Sequence, residues 1–550
     1  MPQATGRDWL LPGLIVALGL ALRLRQFNYF LVPDTDFFDL RAVGVALVHR
    51  NPPPLYLRPP LYSLLMAGLA PLFRGPDPVL LAAESVNLAA FAVAAFSLHR
   101  LAVRFVGSAA WVVTFLFAMD GLAFHMALQP RAELPTVALV ILGCYLATVR
   151  PTAAYVSAAL ASVTRYEGAF LIPALFVRDL VRGPHRGRAV VLAALASAGL
   201  VVWLGLNFRA TGHVNPYYEY AGAGTTAAGG AFLWVLARTC LGAVGLAPEG
   251  KVLAGATVLL AALIVGGLVS LLRTSRRDAL PIVTFFALTL VLNLAFFSPT
   301  PEHAFMIVWV TQLAVVAGFV GLGHVARSLF PFPSGSAAST QAIRLVLGIG
   351  TLLALALFAW SAHRRGTTLP AEALAVTAVA IGAILATARP SSWATALLLA
   401  AVIVAVPVAV RRDLRAIHAR LDTVTHVKGE LRRAGEWFAA HAAPDEQMVV
   451  VEPWVVAAFA APRSMEDLVD TRTLTSRTPD ELATELRRLG VDYVIWNSQH
   501  GNLPPTDFYF RKYRVDLLSQ LAEGRSSPDF ELLDTLRAGP SYAYVYRVRP

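Results

Sequence analysis

Long apolar runs, broken by short polar stretches that carry arginine, set the pattern of this chain. A membrane-crossing helix needs ~20 mostly apolar residues, and about thirteen stretches qualify. The first runs from Trp9 to Leu24, with Arg7 before it and Arg23 and Arg25 at its far end. Further spans are predicted at 79–98, 109–127, 132–148, 189–207, 252–272, 279–297, 305–323, 344–361, 371–388 and 393–410. The segment 153–182 reads as two helices broken at the polar triplet Arg165, Tyr166 and Glu167. No small-residue cleavage site follows the first run, so it is expected to stay as a helix.

Between the first two runs lies LVPDTDFFDLRAVGVALVHRNPPPLYLRPPLYSLLMAGLAPLFRG, from Leu31 to Gly75. Two short interfacial helices are predicted there. In the first, Asp34 stands where a helix cap belongs, and Leu40, Val43 and Leu47 recur at helical spacing. In the second, Pro59 and Pro60 open the helix, at positions that tolerate proline. A second polar loop, ATGHVNPYYEYAGAGTTAAGGAF, brings Tyr217, Tyr218 and Tyr220, and the short turn SPTPEHAF brings Glu302 and His303.

After Arg411 the composition becomes that of a soluble domain. A long polar helix over 413–442, the apolar run MVVVEPWVV, a helix PDELATELRRLG and strands VDYVIWN and YAYVYRV predict a small α/β domain. No glycine-rich phosphate loop follows any of these strands. The fold class is therefore a polytopic α-helical membrane protein with a C-terminal soluble α/β domain. Residues 1–410 form the transmembrane domain, with an outer loop at 28–78, and residues 411–550 form the soluble domain.

Composition agrees. The chain is 56% hydrophobic and 15% charged, too apolar for one soluble core. A net charge of +11 could point to nucleic acid, but the arginines cluster at the ends of apolar runs. The runs at Arg178, Arg182, Arg186 and Arg188 and at Arg273, Arg276 and Arg277 mark cytoplasmic loops. With an internal amino terminus, an odd number of crossings leaves the C-terminal domain outside. His363, Arg364 and Arg365 then also fall outside, against the positive-inside rule. The two cysteines, Cys144 and Cys240, sit in apolar sequence and make no disulfide framework, and no metal-ligand spacing occurs.

The candidate chemistry concentrates in the first loop, where Asp34, Asp36 and Asp39 follow the first span. Carboxylates at a membrane surface are well placed for proton transfer. Each also has a plain structural reading, Asp34 as a cap and Asp36 and Asp39 as partners of the helix dipole. Arg58, Arg131, Arg165 and His303 are candidates to hold a phosphate, since an arginine fork matches its oxygens; the alternative is snorkelling to the interface. Glu133, opening an apolar helix, is either a substrate ligand or a dipole partner. Tyr218 and its neighbours either stack on a sugar or join an interfacial aromatic belt.

The order of first span, PDTDFFDLRAVGVAL and YLRPPLYSLLMAGLAPLFRG resembles the first outer loop of superfamily C glycosyltransferases, in the protein O-mannosyltransferase-like and lipid A aminoarabinose transferase-like group. Asp34, the pair Phe37 and Phe38, and Ala42 match its acidic motif, aromatic pair and alanine; Arg58, Pro59 and Pro60 match its Pro-Pro helix. RAEL from Arg131 and VTRYEG around Arg165 extend the likeness. Two departures stand out: Thr35 replaces the usual second acid, moving that carboxylate to Asp36, and His303 stands where arginine or lysine is common.

The resemblance implies an inverting transferase that takes a sugar from a polyprenyl-phosphate donor, with Asp34 as general base. The acceptor would be a lipid, glycan or protein at the outer face of the cell membrane. One carboxylate can suffice, because phosphate leaves as a stabilised anion, whereas an ordinary glycosidic bond needs a second carboxyl as acid. No cofactor or metal is implied. A transporter or lipid-linked sugar flippase with a soluble outer cap is the alternative, as is a non-catalytic assembly partner. A transporter predicts broken helices in corresponding halves, whereas here the acids gather in one loop.

Overall fold

The computed structural model describes residues 10–24, 35–50, 58–74, 78–182, 186–212, 214, 235–241, 251–296, 301–329, 428–462, 467–505, 510–511 and 513–550. The apolar runs form helices α1 (Leu10–Leu24), α4 (Pro78–Val106), α5 (Ala110–Met119), α6 (Gly121–Leu128), α7 (Glu133–Val149) and α8 (Pro151–Ser162). They continue as α9 (Leu171–Arg182), α10 (Arg186–Thr211), α11 (Lys251–Thr274), α12 (Arg276–Phe296) and α13 (Pro301–Leu329). The first loop supplies two short helices, α2 (Thr35–Val48) and α3 (Pro60–Leu69).

Among the described residues, five stretches are long and apolar enough to cross a membrane: Pro78–Met119, Arg186–Ala210, Thr257–Thr274, Arg276–Leu294 and His303–Gly321. The bent pair α6 and α7 makes a sixth if it is one span. The chain is a multi-pass membrane protein. The spans predicted at 344–361, 371–388 and 393–410 lie outside the described residues.

Helix starts follow local chemistry. Helix α2 begins directly after the Asp34 position, and α3 opens with Pro59 as its cap and Pro60 in its first turn. The broken pair at 153–182 is α8 and α9, joined by a tight 3-10 turn over Tyr166–Phe170. The span predicted at 109–127 is interrupted at Asp120, whose backbone is extended and whose carboxylate accepts from the Ala123 amide at 2.7 Å. An aspartate gains more from capping a new helix than from lying inside one. The chain then turns by 117° between α6 and α7.

Side-chain packing departs from expectation at Arg23. It belongs to the arginines at the ends of apolar runs, yet it is fully buried. Its Nη1 donates to the Gly19 and Ala118 carbonyls at 2.9 and 3.0 Å, and its guanidinium lies 3.8 Å above the Phe91 ring. Carbonyls and an aromatic face thus replace water around this cation. Gly19 makes the room, since a Cβ there would meet Phe91 at 2.9 Å. Helices α11 and α13 approach through glycines: a Cβ on Gly267 would fall 1.8 Å from the Ala314 carbonyl oxygen, and one on Gly318 2.7 Å from that of Leu263. Small residues at such crossings let apolar helices gain close packing where lipid offers no hydrophobic drive.

Contacts divide the chain into two compact units, one holding the apolar helices and α3, the other pairing α2 with the C-terminal residues from Lys428 on. In the second unit, strands β1 (Met448–Val450), β2 (Leu468–Asp470), β3 (Tyr493–Asn497), β4 (Phe530–Ala538) and β5 (Ser541–Val548) form one sheet in the order β2-β1-β3-β5-β4. β1 runs parallel to β2 and β3, and β5 runs antiparallel to β3 and β4. The unit also carries α14 (Gly429–His441), α15 (Pro453–Ala457), α16 (Pro479–Leu489) and α17 (Ser498–Gly501). This is the α/β arrangement predicted after Arg411, although the part of the long polar helix before Lys428 lies outside the described residues. Strands β2 and β4 are additional: β2 has only three residues, and β4 is a largely exposed edge strand with an irregularity between Leu532 and Asp534.

Helix α16 ends as its sequence predicts, at Gly490 in the left-handed conformation with φ 71°. Its Glu485 is buried and accepts from the amide and hydroxyl of Thr475 at 2.6 and 2.5 Å, and from the amide and hydroxyl of Ser476. Burial alone would raise this carboxyl; the four donors instead pull it down to about 2, from 4.5. A depressed carboxylate stabilises the fold above its unfolded value and loses that contribution as pH falls through the folded one. Glu485→Ala is therefore expected to cost about 1.5–3 kcal/mol at neutral pH. Scanning fluorimetry of the full chain should show the gap to the parent protein closing between pH 4.5 and 2.

Candidate functional site

The apolar unit gathers a polar cluster at one set of helix ends. The Leu61 amide of α3 donates to the Val163 carbonyl at 2.8 Å, which places the stretch with Arg58 beside the turn that carries Arg165. Tyr62 is fully buried and donates to the Ala83 carbonyl at 3.3 Å. Burial first, then the charges of Glu133 and Glu84, push its phenol well above the ordinary value, so it stays a protonated donor. Asn87 of α4 donates to the carbonyls of Met126, at 3.2 Å, and Gln129, and so holds the bend that leads into Arg131 and Glu133.

Arg165 organises this cluster. Its backbone is extended just before the 3-10 turn, with φ −156° and ψ 145°, and its amide donates to the Ala161 carbonyl at 3.1 Å. The turn needs Gly168: a Cβ there would fall 2.3 Å from the Ala161 carbonyl oxygen. From this position Nη1 of Arg165 donates to Glu133 Oε1 at 2.9 Å and Nε donates to Glu167 Oε1 at 3.0 Å. Arg131 Nη1 lies 4.0 Å from the same Glu133 oxygen, and His303 Nδ1, in the first turn of α13, lies 3.3 Å from Glu167 Oε1. Glu133 and Glu167 are 2% and 4% exposed, deep enough for water to screen these pairs weakly.

Burial would raise the Glu167 carboxyl, but Arg165 and then His303 hold it well below the usual carboxylate range. It is therefore an anion that fixes the guanidinium. The other oxygen of Glu133, Oε2, is buried and accepts no hydrogen bond from the described residues. A buried carboxylate oxygen in that state is an acceptor ready for a hydroxyl or water. The arrangement as a whole can orient a charged or hydroxylated group: donors on a rigid fork, carboxylates that steer them, and an acceptor beside them.

Four of the predicted site residues, Arg131, Glu133, Arg165 and His303, are thus brought together, although they lie on three separate stretches of the chain. Asp34 and Tyr218 lie outside the described residues. Asp36 lies in the first turn of α2, in the C-terminal unit. Glu167 is the residue missed: in the sequence it marked only a break between helices. The signal was present, since an Arg-Tyr-Glu triplet inside an apolar helical pair is costly unless its charges are used.

No protein-family model matches the chain, and no curated protein does. Among solved structures, ArnT from Cupriavidus metallidurans bound to undecaprenyl phosphate is 13% identical over 98% of each chain, with a TM-score of 0.54. The same protein in the apo state matches over 98% of each chain with a TM-score of 0.53. The archaeal oligosaccharyltransferase AglB from Archaeoglobus fulgidus, in complex with an inhibitory peptide and a dolichol-phosphate, is 12% identical over 98% of this chain and 74% of its own, with a TM-score of 0.49. At this identity the likeness to ArnT is one of fold, extending over nearly the whole chain.

Proposed function

We propose, from a fold shared with ArnT, that this chain is an integral membrane glycosyltransferase that moves a sugar from a polyprenyl-phosphate donor to a lipid, glycan or protein acceptor. The observation that carries the reading is the cluster at the ends of apolar helices in which buried Glu133, Arg165 and Glu167 meet half-buried Arg131 and His303, in a fold also seen bound to undecaprenyl phosphate in ArnT.

Arg58, Arg131, Arg165 and His303 meet the phosphate, where negative charge grows as the sugar leaves. Glu133 and Glu167 keep the Arg165 fork in one orientation. Asp34 takes the proton of the acceptor hydroxyl, whose oxygen attacks the anomeric carbon from the side opposite the phosphate. The carbon–oxygen bond to phosphate breaks, configuration inverts, and polyprenyl phosphate leaves as an anion. Asp36 supplies the second carboxylate of the acidic turn, and Tyr218 stacks on the sugar. The first loop and the C-terminal unit lie on the extracytoplasmic face.

Mass spectrometry of cell-envelope glycolipids and glycans with and without the protein tests this. One hexose or pentose increment should disappear when the protein is absent. An unchanged profile overturns the reading.

A further inference from the structure

Helix α2 carries two adjacent aromatic residues that are almost wholly buried, Phe37 at 0% and Phe38 at 2% exposure. Leu40 and Val43 are buried as well. Phe38 meets Phe459 of the C-terminal unit edge to face, with ring centroids 6.3 Å apart and planes at 69°. The Arg432 guanidinium lies 5.1 Å from the same Phe459 ring. An aromatic pair of this geometry adds stabilisation beyond its buried area and fixes an angle as well as a distance.

Phe459 follows α15, and the start of α15 is held in an unusual way. Glu452 adopts a left-handed backbone, φ 56° and ψ 59°, with its carboxylate buried. Such a conformation persists in a non-glycine residue only where its surroundings over-determine it. Three other segments supply that support. Lys428 Nζ lies 2.7 Å from Oε2, the Tyr513 hydroxyl donates to Oε1 at 3.1 Å, and His500 Nε2 stands 3.9 Å from Oε2. Asn497 ties the set together, its amide lying 3.3 Å from Glu430 Oε1 and 2.9 Å from His500 Nδ1.

These residues lie beyond the carboxyl ends of β1 and β3, and chain order reverses there: β1 leads to β2 on one side, and β2 leads to β3 on the other. The crevice at such a switch point is where open α/β sheets receive what they bind. In this unit the segment after β1 is α15 with Phe459, and what packs on it is Phe38 of the acidic loop. Close packing makes the link stiff: a Cβ on Gly435 of α14 would fall 2.5 Å from the Val456 carbonyl oxygen of α15. On the other side Arg472 is clamped by Asp470 at 2.7 Å, with Asp39 of α2 adding to the negative field around it.

We propose that the C-terminal unit is the positioning element of the acidic turn: the Lys428–Glu452–Tyr513 network sets α15, Phe459 receives Phe38, and the helix that begins at Thr35 is thereby held in one orientation during sugar transfer. This rests on the reading of the first loop as the carrier of the base. Phe38 and Phe459 are positioning residues; neither meets the substrate. A loosened helix lowers the fraction of complexes in which the base is aligned, so turnover suffers while donor affinity does not.

Hydrogen exchange of the full chain in lipid nanodiscs, read on peptides covering Thr35–Val48, tests the docking apart from the chemistry. Phe459→Ala should speed α2 exchange about tenfold, the loss of one aromatic contact. It should also lower kcat by up to about a hundredfold with the KM for the donor nearly unchanged. Phe459→Tyr, which keeps the ring, should restore both. Trp437→Ala, which removes a ring stacked on His441 elsewhere in the unit, should leave α2 exchange as it was. Unchanged α2 exchange in Phe459→Ala, or equal loosening by Trp437→Ala, overturns the docking. Faster exchange with unaltered transfer leaves the docking standing and overturns its role in the reaction, whereas the placement of the base in this loop stands or falls with Asp34→Asn.

Discussion

Replacing Asp34 by asparagine is expected to lower the turnover of sugar transfer by about 100- to 10,000-fold, the usual worth of a positioned general base. The amide has nearly the shape of the carboxylate, so the helix start and the fold should survive, yet it cannot accept the proton of an attacking hydroxyl. Binding of undecaprenyl phosphate, measured by titration calorimetry, should be unchanged, because the groups assigned to phosphate are arginines and His303. The loss should appear in kcat and in kcat/KM alike, as expected for an interaction made only in the transition state. Asp36→Asn serves as the companion. A larger loss there than at Asp34 moves the base by half a helical turn. Full transfer in both variants removes Asp34 and Asp36 as the base; the enzyme reading itself falls only if the parent protein transfers no sugar, which favours a transporter or assembly partner.

The second large effect belongs to Arg165. Its guanidinium pairs with Glu133 and Glu167 at 2.9 and 3.0 Å, both deeply buried. Arg165→Ala leaves two carboxylates without this partner, and breaking a buried pair from one side costs about 3–5 kcal/mol. Arg165→Lys should restore little, since Nη1 and Nε reach separate carboxylates and one ammonium cannot copy that fork. The pH dependence has a definite sign. Glu167 is held below its ordinary value of 4.5, so its contribution is present above that pH and is lost on acidification. In Arg165→Ala Glu167 loses the cation that holds its carboxyl down and protonates more easily, which relieves the variant while the parent weakens. Thermal unfolding should therefore show the two converging as pH falls below about 4.5, and a constant gap would sink the ion-pair account.

The residues of the polar cluster are legible one at a time. Glu133 opens an apolar helix, Arg131 and His303 sit in short polar turns, and Arg165 interrupts a helical pair; each invites a question in the sequence. None says which neighbour answers it. Arg165 reaches back to Glu133 because the 3-10 turn at Tyr166–Phe170, made possible by Gly168, aims its side chain at the start of α7. Glu167 stands in the sequence only as a break between helices for the same reason: its partners Arg165 and His303 come together only when α13 packs in. Arg23 shows the converse, a flanking arginine by position that becomes an interior one because Gly19 leaves room beside Phe91.

By itself the sequence determined that the described apolar runs form helices and that several of them are apolar enough to span a membrane. It also determined that an α/β region follows, with Pro59, Pro60 and Gly490 marking ends. These are local properties, set by dihedral preferences and by periodicity within a few turns. Only the tertiary structure decided that α2 belongs with the C-terminal residues, that Phe38 meets Phe459, and that Arg131, Glu133, Arg165, Glu167 and His303 share one cluster. Such meetings depend on which distant surfaces fit and on how buried charges find partners, and no short window of the chain contains both halves of that condition.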